Sequence, residues 1–307
     1  MSRKIPLIID TDPGIDDAAA IAIALFDETL NVRLITTVSG NVSLDKVTKN
    51  TLKLLKYFGK EEIPVAAGAS EPLIREAVNA EEVHGKSGME GFDFEEPDLK
   101  VLNKNAAEAM RDLITESREK ITILAIGPLT NIALLLKTFP EVKENIEEII
   151  FMGGSASRGN SGVMTEFNMG VDPEAAHIVL HSGLKITMVG LDIGLKALIY
   201  PEDRKKIREA GKTGFMLSAL FDRYRGDKEG KGIRMCDSTA IAYLLRPDMF
   251  KTVNTYIGVE LEGKYTAGCT LVDFEGYLGR KANADVCTDI DADEFRKWLT
   301  EAIEKCI

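Results

Sequence analysis

Four aspartates lie within eight residues near the start of the chain, in the segment Asp10–Asp17 with the sequence DTDPGIDD. Carboxylate oxygens are the ligands that Ca²⁺ and Mg²⁺ prefer, and a carboxylate can also take a proton from water. A helix N-terminus attracts negative charge by only about 0.3–1 kcal/mol per group, which is too little to hold four like charges together. The residue types and their spacing therefore favour a site for a hard divalent cation over a simple helix cap.

The residues on either side of the acidic segment predict how the chain presents it. The apolar run Ile5–Ile9 is typical of a buried strand, and the Ala- and Ile-rich run Ala18–Phe26 is typical of a helix. Pro13 and Gly14 favour a tight turn between the two. Because ligands bind at the carboxyl ends of strands in open α/β sheets, we expect the four acids to line a binding site there.

The rest of the chain repeats this alternation of strand-like and helix-like segments. Strands are predicted over residues 32–38, 63–67, 121–126, 146–152, 186–189, 255–261 and 270–274, with the last two as a candidate antiparallel pair. Helices are predicted over residues 44–58, 105–118, 128–137, 173–181, 202–210, 214–224, 237–245 and 293–305. The pattern predicts one α/β domain over residues 1–307, with a mostly parallel central sheet and helices on both faces.

The composition of the chain argues against some classes of binding partner. Of the 307 residues 45% are hydrophobic and 28% are charged, and the formal net charge of −11 argues against non-specific binding to nucleic acid or to an anionic membrane. No apolar run reaches membrane-spanning length and no signal peptide is evident, so a cytoplasmic location is expected. The four cysteines lack metal-type spacing, which indicates reduced thiols.

Two segments carry a resemblance to a known family. The run from Asp10 to Ile21, DTDPGIDDAAAI, resembles the N-terminal signature of the inosine-uridine preferring nucleoside hydrolases, and the run from Glu166 to Ala176 resembles their second signature. The resemblance extends over nearly the whole chain. It implies the nucleoside hydrolase fold with a Rossmann-like core, a ribonucleoside substrate that is split into ribose and free base, and a homodimer or homotetramer.

The same resemblance implies a tightly bound Ca²⁺ and a role for each matching residue. The expected metal ligands are the carboxylates of Asp12, Asp17 and Asp237 and the backbone carbonyl of Ile126. Asp12 is also expected to act as the general base on a water activated by the metal.

The expected substrate contacts surround the ribose and the base. Glutamate and aspartate accept hydrogen bonds from hydroxyls, and carboxylates stabilise the oxocarbenium-like ribosyl cation that forms when an N-glycosidic bond breaks. Asn41 is expected to belong to the catalytic group as well as to the substrate contacts. The residues expected to contact substrate are Asp16, Asn41, His84, Met152, Asn160, Glu166 and Asn168.

One position departs from the pattern of many family members. Cys236 stands where they carry a histidine that protonates the leaving base, although a cysteine-type subgroup exists. A thiol is mostly protonated at neutral pH but is a weak hydrogen-bond donor, so Cys236 is either a weak acid for the leaving base or an inert buried thiol. We expect the charged, glycine-rich segment 226–232, which follows Tyr224 and Arg225, to close over bound nucleoside.

Two other functions fit parts of the same pattern. A haloacid-dehalogenase-like phosphohydrolase would use Asp10 as its nucleophile and Mg²⁺ as its metal, and it would cleave phosphate esters. A non-catalytic nucleoside- or ribose-binding protein would bind ligand without releasing base, although binding alone does not need Asp12 as a base. His177 and His181, four residues apart, are interpreted as structural.

Overall fold

The strands of the protein follow the predicted alternation. The computed structural model describes residues 4–224 and 232–306. Its strands are β1 (Ile5–Thr11), β2 (Leu30–Thr37), β3 (Val65–Ala67), β4 (Ile121–Ala125), β5 (Ile146–Met152), β6 (Ile186–Val189), β7 (Leu198–Ile199), β8 (Ile233–Arg234), β9 (Phe250–Val259), β10 (Thr270–Asp273) and β11 (Ala284–Ile290). Nine of them form one sheet in the order β10-β9-β11-β6-β5-β4-β1-β2-β3, and β7 pairs with β8 separately.

Helices occupy most of the connections between these strands. They are α1 (Ile15–Phe26), α2 (Leu44–Phe58), α3 (Glu81–His84), α4 (Ala106–Glu116), α5 (Thr130–Thr138), α6 (Phe167–Val171), α7 (Pro173–Leu180), α8 (Leu191–Gly194), α9 (Pro201–Glu209), α10 (Gly211–Phe221), α11 (Cys236–Leu245) and α12 (Ala292–Glu304). Within the two described stretches no helix is long and apolar enough to cross a membrane.

The centre of the sheet is parallel, as predicted. Within the nine-stranded sheet, the six strand pairs from β11 to β3 are all parallel, and the two pairs that involve β9 are antiparallel. Because every parallel connection returns to the same edge, the carboxyl ends of the parallel strands lie together at one edge of the sheet.

Two apolar cores lie on opposite faces of the sheet. Leu7 and Ile9 of β1 pack with buried residues of α1, α10 and α11, whereas Ile8 packs with buried residues of α4, α5 and α7. Successive side chains of a strand point to opposite faces, so a continuous apolar strand requires helices on both sides. The predicted arrangement, a central sheet with helices on both faces, is therefore confirmed.

Strand β11 was not predicted from the sequence, and β9 begins five residues before its predicted start. β11 reads ADVCTDI and lies inside the sheet between β6 and β9. Its Asp285 and Asp289 interrupt the apolar run, so the segment lacks the continuous hydrophobicity of β1 or β5. The partners of β11 come from distant parts of the chain, and local pattern did not reveal them.

The expected lid lies largely outside the described residues. α10 ends at Phe221, three residues before the predicted helix end, and residues 225–231 are not described. Closure of the segment 226–232 over substrate therefore stays a prediction.

Asn131 on α5 joins the strands beneath the acidic segment. Its Nδ2 donates to Asp10 Oδ1 at 2.8 Å and to the Thr37 carbonyl at 3.0 Å, and its Oδ1 accepts from the Ala69 backbone N–H at 2.8 Å. One buried amide therefore connects β1, β2 and the chain after β3 to a helix on one face of the sheet.

We expect Asn131→Ala to lower the free energy of unfolding by about 2–4 kcal/mol, because three hydrogen bonds disappear and buried polar groups lose their partner. Asn105→Ala is the matched control, because Asn105 caps the exposed start of α4 by accepting from the Glu108 N–H at 2.9 Å. Loss of that cap is worth about 1 kcal/mol. Urea denaturation measures both variants, and equal losses would contradict the special role of Asn131.

Candidate active site

The ends of four neighbouring strands bring several of the predicted site residues together. Asp12 follows β1, Asn41 follows β2, Ile126 follows β4 and Met152 ends β5, and these strands are adjacent in the sheet. The Asn41 backbone N–H donates to Asp12 Oδ2 at 2.7 Å. Asn168 Nδ2 donates to the carbonyls of Ile126 at 3.3 Å and Met152 at 3.0 Å. These contacts link the four strand ends in two pairs, through residues that the sequence singled out.

Two glycines give the Asp12 carboxylate its space. A Cβ on Gly40 would lie 2.1 Å from Asp12 Oδ2, and a Cβ on Gly127 would lie 2.7 Å from Asp12 Oδ1. Both distances are too short for a real contact, so any larger residue would displace the carboxylate. The sequence did not indicate this role for either glycine, although each lies within two residues of the end of a predicted strand.

Asp17 is held in a fixed orientation by three donors. Thr11 Oγ1 donates at 2.7 Å to one carboxylate oxygen, and the Gly14 backbone N–H at 2.9 Å and Asn41 Nδ2 at 3.2 Å donate to the other. Thr11 is a functional residue that sequence reasoning missed, even though it lies inside the signature. The signal that could have found it is a hydroxyl placed within the acidic turn, directly before Asp12.

Three carboxylates from two helices form a compact acidic group. Oxygens of Asp16, Asp17 and Asp237 lie within 4.8 Å of one another, and all three side chains are buried. Asp16 and Asp17 lie in the first turn of α1 and Asp237 in the first turn of α11. The packing of α1 against α11 therefore joins residues more than two hundred positions apart in the sequence.

Burial and mutual repulsion both disfavour the charged forms of these acids. Desolvation, followed by the charge of Asp17, raises the pKa of Asp16 to about 7. Desolvation and neighbouring carboxylates also raise the pKa values of Asp12 and Asp237 well above the usual range. A cation among these oxygens would offset both effects.

The donor set fits a hard divalent cation. Asp12 Oδ1 is buried and has no hydrogen-bond partner among the described residues, beside three clustered carboxylates. The geometry differs in one respect from the expected ligand set, because Asp16 joins Asp17 and Asp237 in the compact group and Asp12 does not. The assignment of Asp12, Asp17, Ile126 and Asp237 as Ca²⁺ ligands stays a prediction.

Glu166 organises the loop that carries the second signature. Its carboxylate accepts from the backbone N–H groups of Gly154 at 2.9 Å, Asn168 at 3.0 Å and Met169 at 3.2 Å. Desolvation nevertheless raises its pKa to about 7. Glu166 thereby ties the start of α6 to the end of β5 and positions Asn168 over the strand ends.

Asn160 and His84 occupy contrasting environments. Asn160 is exposed, and its Oδ1 accepts from the Phe167 backbone N–H at 2.9 Å, so it caps its own loop. His84 is buried, and its Nδ1 accepts from the Ile15 backbone N–H at 3.2 Å. Burial lowers the pKa of His84 to about 4, and its ring contacts Tyr224 edge-to-face at 5.6 Å. The substrate contacts assigned to these residues stay predictions.

Cys236 is a buried, protonated thiol at the acidic group. A Cβ on Gly194 would lie 2.6 Å from its Sγ, so the thiol packs closely against α8. Burial is the main cause that raises the pKa of Cys236, and the charges of Asp16 and Glu166 add to it. The thiol lies near both carboxylates that are expected to contact the ribose.

Asp10 does not share the environment of the other three acids. It is fully buried, and its Oδ1 accepts from Thr36 Oγ1 at 2.5 Å and from Asn131 Nδ2 at 2.8 Å. These partners fix it within the packing between the strands and α5. Because Asp10 is tied to Thr36 and Asn131 and does not belong to the compact acidic group, this arrangement does not favour Asp10 as the nucleophile of a phosphohydrolase.

Comparisons with known proteins identify the class to which this fold and this acidic site belong. A family model described as inosine-uridine preferring nucleoside hydrolase matches residues 7–297. The chain is 50% identical over 300 residues to the non-specific ribonucleoside hydrolase RihC of Klebsiella pneumoniae subsp. pneumoniae, covering 98% of each chain. It is 50% identical over 301 residues to the protein of the same name from Salmonella paratyphi B, again covering 98% of each.

Solved structures agree with this class. A purine-preferring ribonucleoside hydrolase from Gardnerella vaginalis superimposes with a TM-score of 0.91 at 28% identity, covering 98% of both chains. The plant nucleoside hydrolase PpNRh1 superimposes with a TM-score of 0.92 at 29% identity, covering 97% of this chain and 98% of that one.

The chain belongs to the inosine-uridine preferring nucleoside hydrolase family. The predicted fold and the predicted enzyme class, an N-glycosidase that acts on nucleosides, are confirmed with it. The expected homo-oligomer, the cytoplasmic location and the individual site roles stay predictions.

We expect Asp16→Asn to have opposite effects with and without a divalent cation. Without one, the variant removes repulsion from a buried acidic group, and the melting temperature should rise by about 2 °C for each kcal/mol of repulsion removed. With added Ca²⁺, the stabilisation of the variant should be smaller than that of the wild type, because the acidic group that would surround the cation has lost one negative charge.

Thermal denaturation in chelator and in Ca²⁺ measures both effects. Glu62→Gln, at an exposed position outside the site, is the control and should change neither value. A variant that melts lower than the wild type in chelator would show that the contacts of the Asp16 carboxylate outweigh the repulsion within the group.

Proposed function

We propose that this protein hydrolyses the N-glycosidic bond of ribonucleosides to ribose and free base, in a Ca²⁺-dependent reaction with Asp12 as general base. The observation that carries the proposal is the hydrogen bonding of the Asp12 carboxylate. One of its oxygens is fixed by the Asn41 backbone N–H, and the other is buried without a partner among the described residues, beside the clustered acids.

Asp12 has the geometry of a fixed base. The hydrogen bond from Asn41 to Oδ2 orients the carboxylate, and the Asn41 side chain also donates to the Asp12 carbonyl at 3.1 Å. Oδ1 is then available to accept a proton from a water that attacks the sugar carbon. A carboxylate held in place in this way does not have to reorganise when the proton moves.

Bound Ca²⁺ would supply the positive charge that lowers the pKa of the attacking water and would coordinate ribose hydroxyls. Asp12, Asp17, Asp237 and the carbonyl of Ile126 would hold it. The hydrogen bonds from Thr11, Gly14 and Asn41 to Asp17 keep that carboxylate aimed at the group when no cation is present.

The remaining polar residues would act on the ribose. Asp16 and Glu166 provide negative charge near a ring that becomes cationic as the bond to the base breaks, and Asn168 can donate and accept at its hydroxyls. Cys236 would face the leaving base as a neutral thiol. Its raised pKa makes it a poor acid, so the site activates water better than it activates the leaving group.

The substrate range would include both purine and pyrimidine ribonucleosides. Support comes from the relatives at 50% identity, whose names describe non-specific ribonucleoside hydrolases. The purine-preferring enzyme from Gardnerella vaginalis is only 28% identical to this chain.

The first experiment measures release of base and reducing sugar from inosine, adenosine, uridine and cytidine, with and without chelator. p-Nitrophenyl riboside is added as a substrate whose leaving group needs no protonation. We expect turnover of natural nucleosides that is lost in chelator and restored by Ca²⁺. Ligand binding with no turnover of any substrate would favour the non-catalytic alternative, and turnover that persists in chelator would contradict the role of the metal.

We expect Asp12→Ala to lower kcat by about 100- to 10,000-fold, the usual contribution of a general base. Cys236→Ala should lower kcat for inosine by less than about tenfold, because a neutral thiol is a weak donor. The Cys236 variant should leave turnover of p-nitrophenyl riboside unchanged. Equal losses from the two variants on inosine would contradict the ranking of the two residues.

A further inference from the structure

Residues 81–98, which we call the histidine segment because they include His84, lie along helix α2. Four lysines of α2 follow the spacing of one helix face and pair with acids of this segment. The pairs are Lys46–Glu81, Lys49–Glu96, Lys53–Glu96, Lys56–Glu95 and Lys56–Asp98, with N···O distances of 2.7, 2.7, 3.8, 3.5 and 3.8 Å. Because ion pairs near the surface each contribute little to stability, a firm attachment of the segment to α2 needs a buried contact as well.

The buried contact is the side chain of Asn50, on the same helix. Asn50 is 3% exposed, and its Nδ2 donates to the Ser87 carbonyl at 2.8 Å and to the Pro13 carbonyl at 3.0 Å. Pro13 belongs to the acidic segment, and Ser87 follows His84 by three positions in the histidine segment. One amide group therefore joins α2, the acidic segment and the histidine segment.

Gly88 allows the histidine segment to approach Asn50 closely. Its φ is 84°, in the left-handed region that favours glycine. A Cβ at this position would lie 2.9 Å from Asn50 Nδ2 and 3.2 Å from the Pro13 carbonyl oxygen. A larger residue at position 88 would therefore crowd the amide donor and one of its two acceptors.

The bond to Ser87 matters because His84 lies against the acidic segment. A Cβ on Gly14 would lie 2.5 Å from His84 Nδ1, and this nitrogen accepts from the Ile15 backbone N–H. A neutral His84 ring with Nδ1 as acceptor carries its proton on Nε2, so it can donate a hydrogen bond from that atom. The position of this donor depends on a histidine segment that stays close to the acidic segment, and Asn50 bonds to both.

We propose that Asn50 is a positioning residue that holds the histidine segment against the acidic segment in the arrangement that receives substrate. The inference rests on the proposed function, in which His84 contacts the nucleoside. Apparent affinity falls with the fraction of molecules that are competent to bind. Loss of the Asn50 amide should therefore raise KM and leave kcat nearly unchanged, because bound substrate restores the arrangement.

Steady-state kinetics with inosine and hydrogen exchange of the full chain test this role. Asn50→Ala should raise KM by about tenfold, as for one lost buried hydrogen-bond partner, and should change kcat by less than about twofold. The backbone amides of residues 85–91 should exchange faster in this variant. Thr51→Val is the matched control and should change none of these values, because Thr51 is buried on α2 and its Oγ1 donates to the Val47 carbonyl of the same helix at 3.0 Å.

Gly88→Ala tests the same contact from the histidine segment, and it replaces Asn50→Ala if that variant does not fold. It should raise KM and speed the exchange of residues 85–91 in the same way. Gly59→Ala is its control, because Gly59 also has a positive φ, 64°, but a Cβ there would have nothing within 4 Å. The control therefore carries the backbone strain without the crowding of Asn50. Circular dichroism confirms that each variant is folded.

The two measurements separate this inference from the proposed function. A wild type that turns over no nucleoside would contradict the proposed function, whereas hydrogen exchange needs no turnover. Unchanged exchange of residues 85–91 in the Asn50 and Gly88 variants would overturn the inference. A fall in kcat at unchanged KM would also overturn it, because Asn50 would then act through the acidic segment and not through the histidine segment.

Discussion

The central constraint in this protein is the repulsion among buried carboxylates at one end of a parallel sheet. Asp12, Asp16, Asp17 and Asp237 lie close enough to affect one another's pKa values, and burial removes the water that would otherwise screen them. The surrounding structure provides hydrogen-bond donors that point at these carboxylates. Backbone N–H groups, a threonine hydroxyl and an asparagine amide satisfy some oxygens, and the rest are left for a cation.

This constraint explains why the residues around the acids are small or locally rigid. Gly40 and Gly127 leave room for the Asp12 carboxylate, and Gly14 supplies a donor to Asp17. The strand ends themselves are fixed from below by Asn131 and Asp10, which bond to each other rather than to the acidic group. Structural hydrogen bonds around Asn131 and Asp10 thus support the strand ends that carry the acidic group.

In the proposed reaction, the site provides more groups for activating the water than for protonating the leaving base. The water side has a fixed carboxylate base and a group of oxygens suited to a cation. The leaving-group side has Cys236, whose burial beside Asp16 and Glu166 keeps it neutral. His84 is also buried and neutral near pH 7, with its Nδ1 occupied by the Ile15 N–H. In the proposed reaction, such a site would depend more on stabilising the ribosyl cation than on protonating the departing base.

The sequence by itself determined the element that carries the chemistry and the class of fold. A continuous apolar strand, a Pro-Gly turn and acids at a helix start are local features, so Asp12, Asp16 and Asp17 could be placed before any contact was known. The alternation along the chain was enough for a parallel sheet with helices on both faces. These predictions succeeded because they rest on periodicity and turn chemistry, which neighbouring residues specify.

Only the tertiary structure decided which residues share the site and how they are held. The joining of Asp237 to Asp16 and Asp17 depends on the packing of α1 against α11, and the role of Thr11 depends on where the Asp17 side chain turns. Contacts of this kind arise from long-range packing and burial, for which no local pattern in the sequence is sufficient.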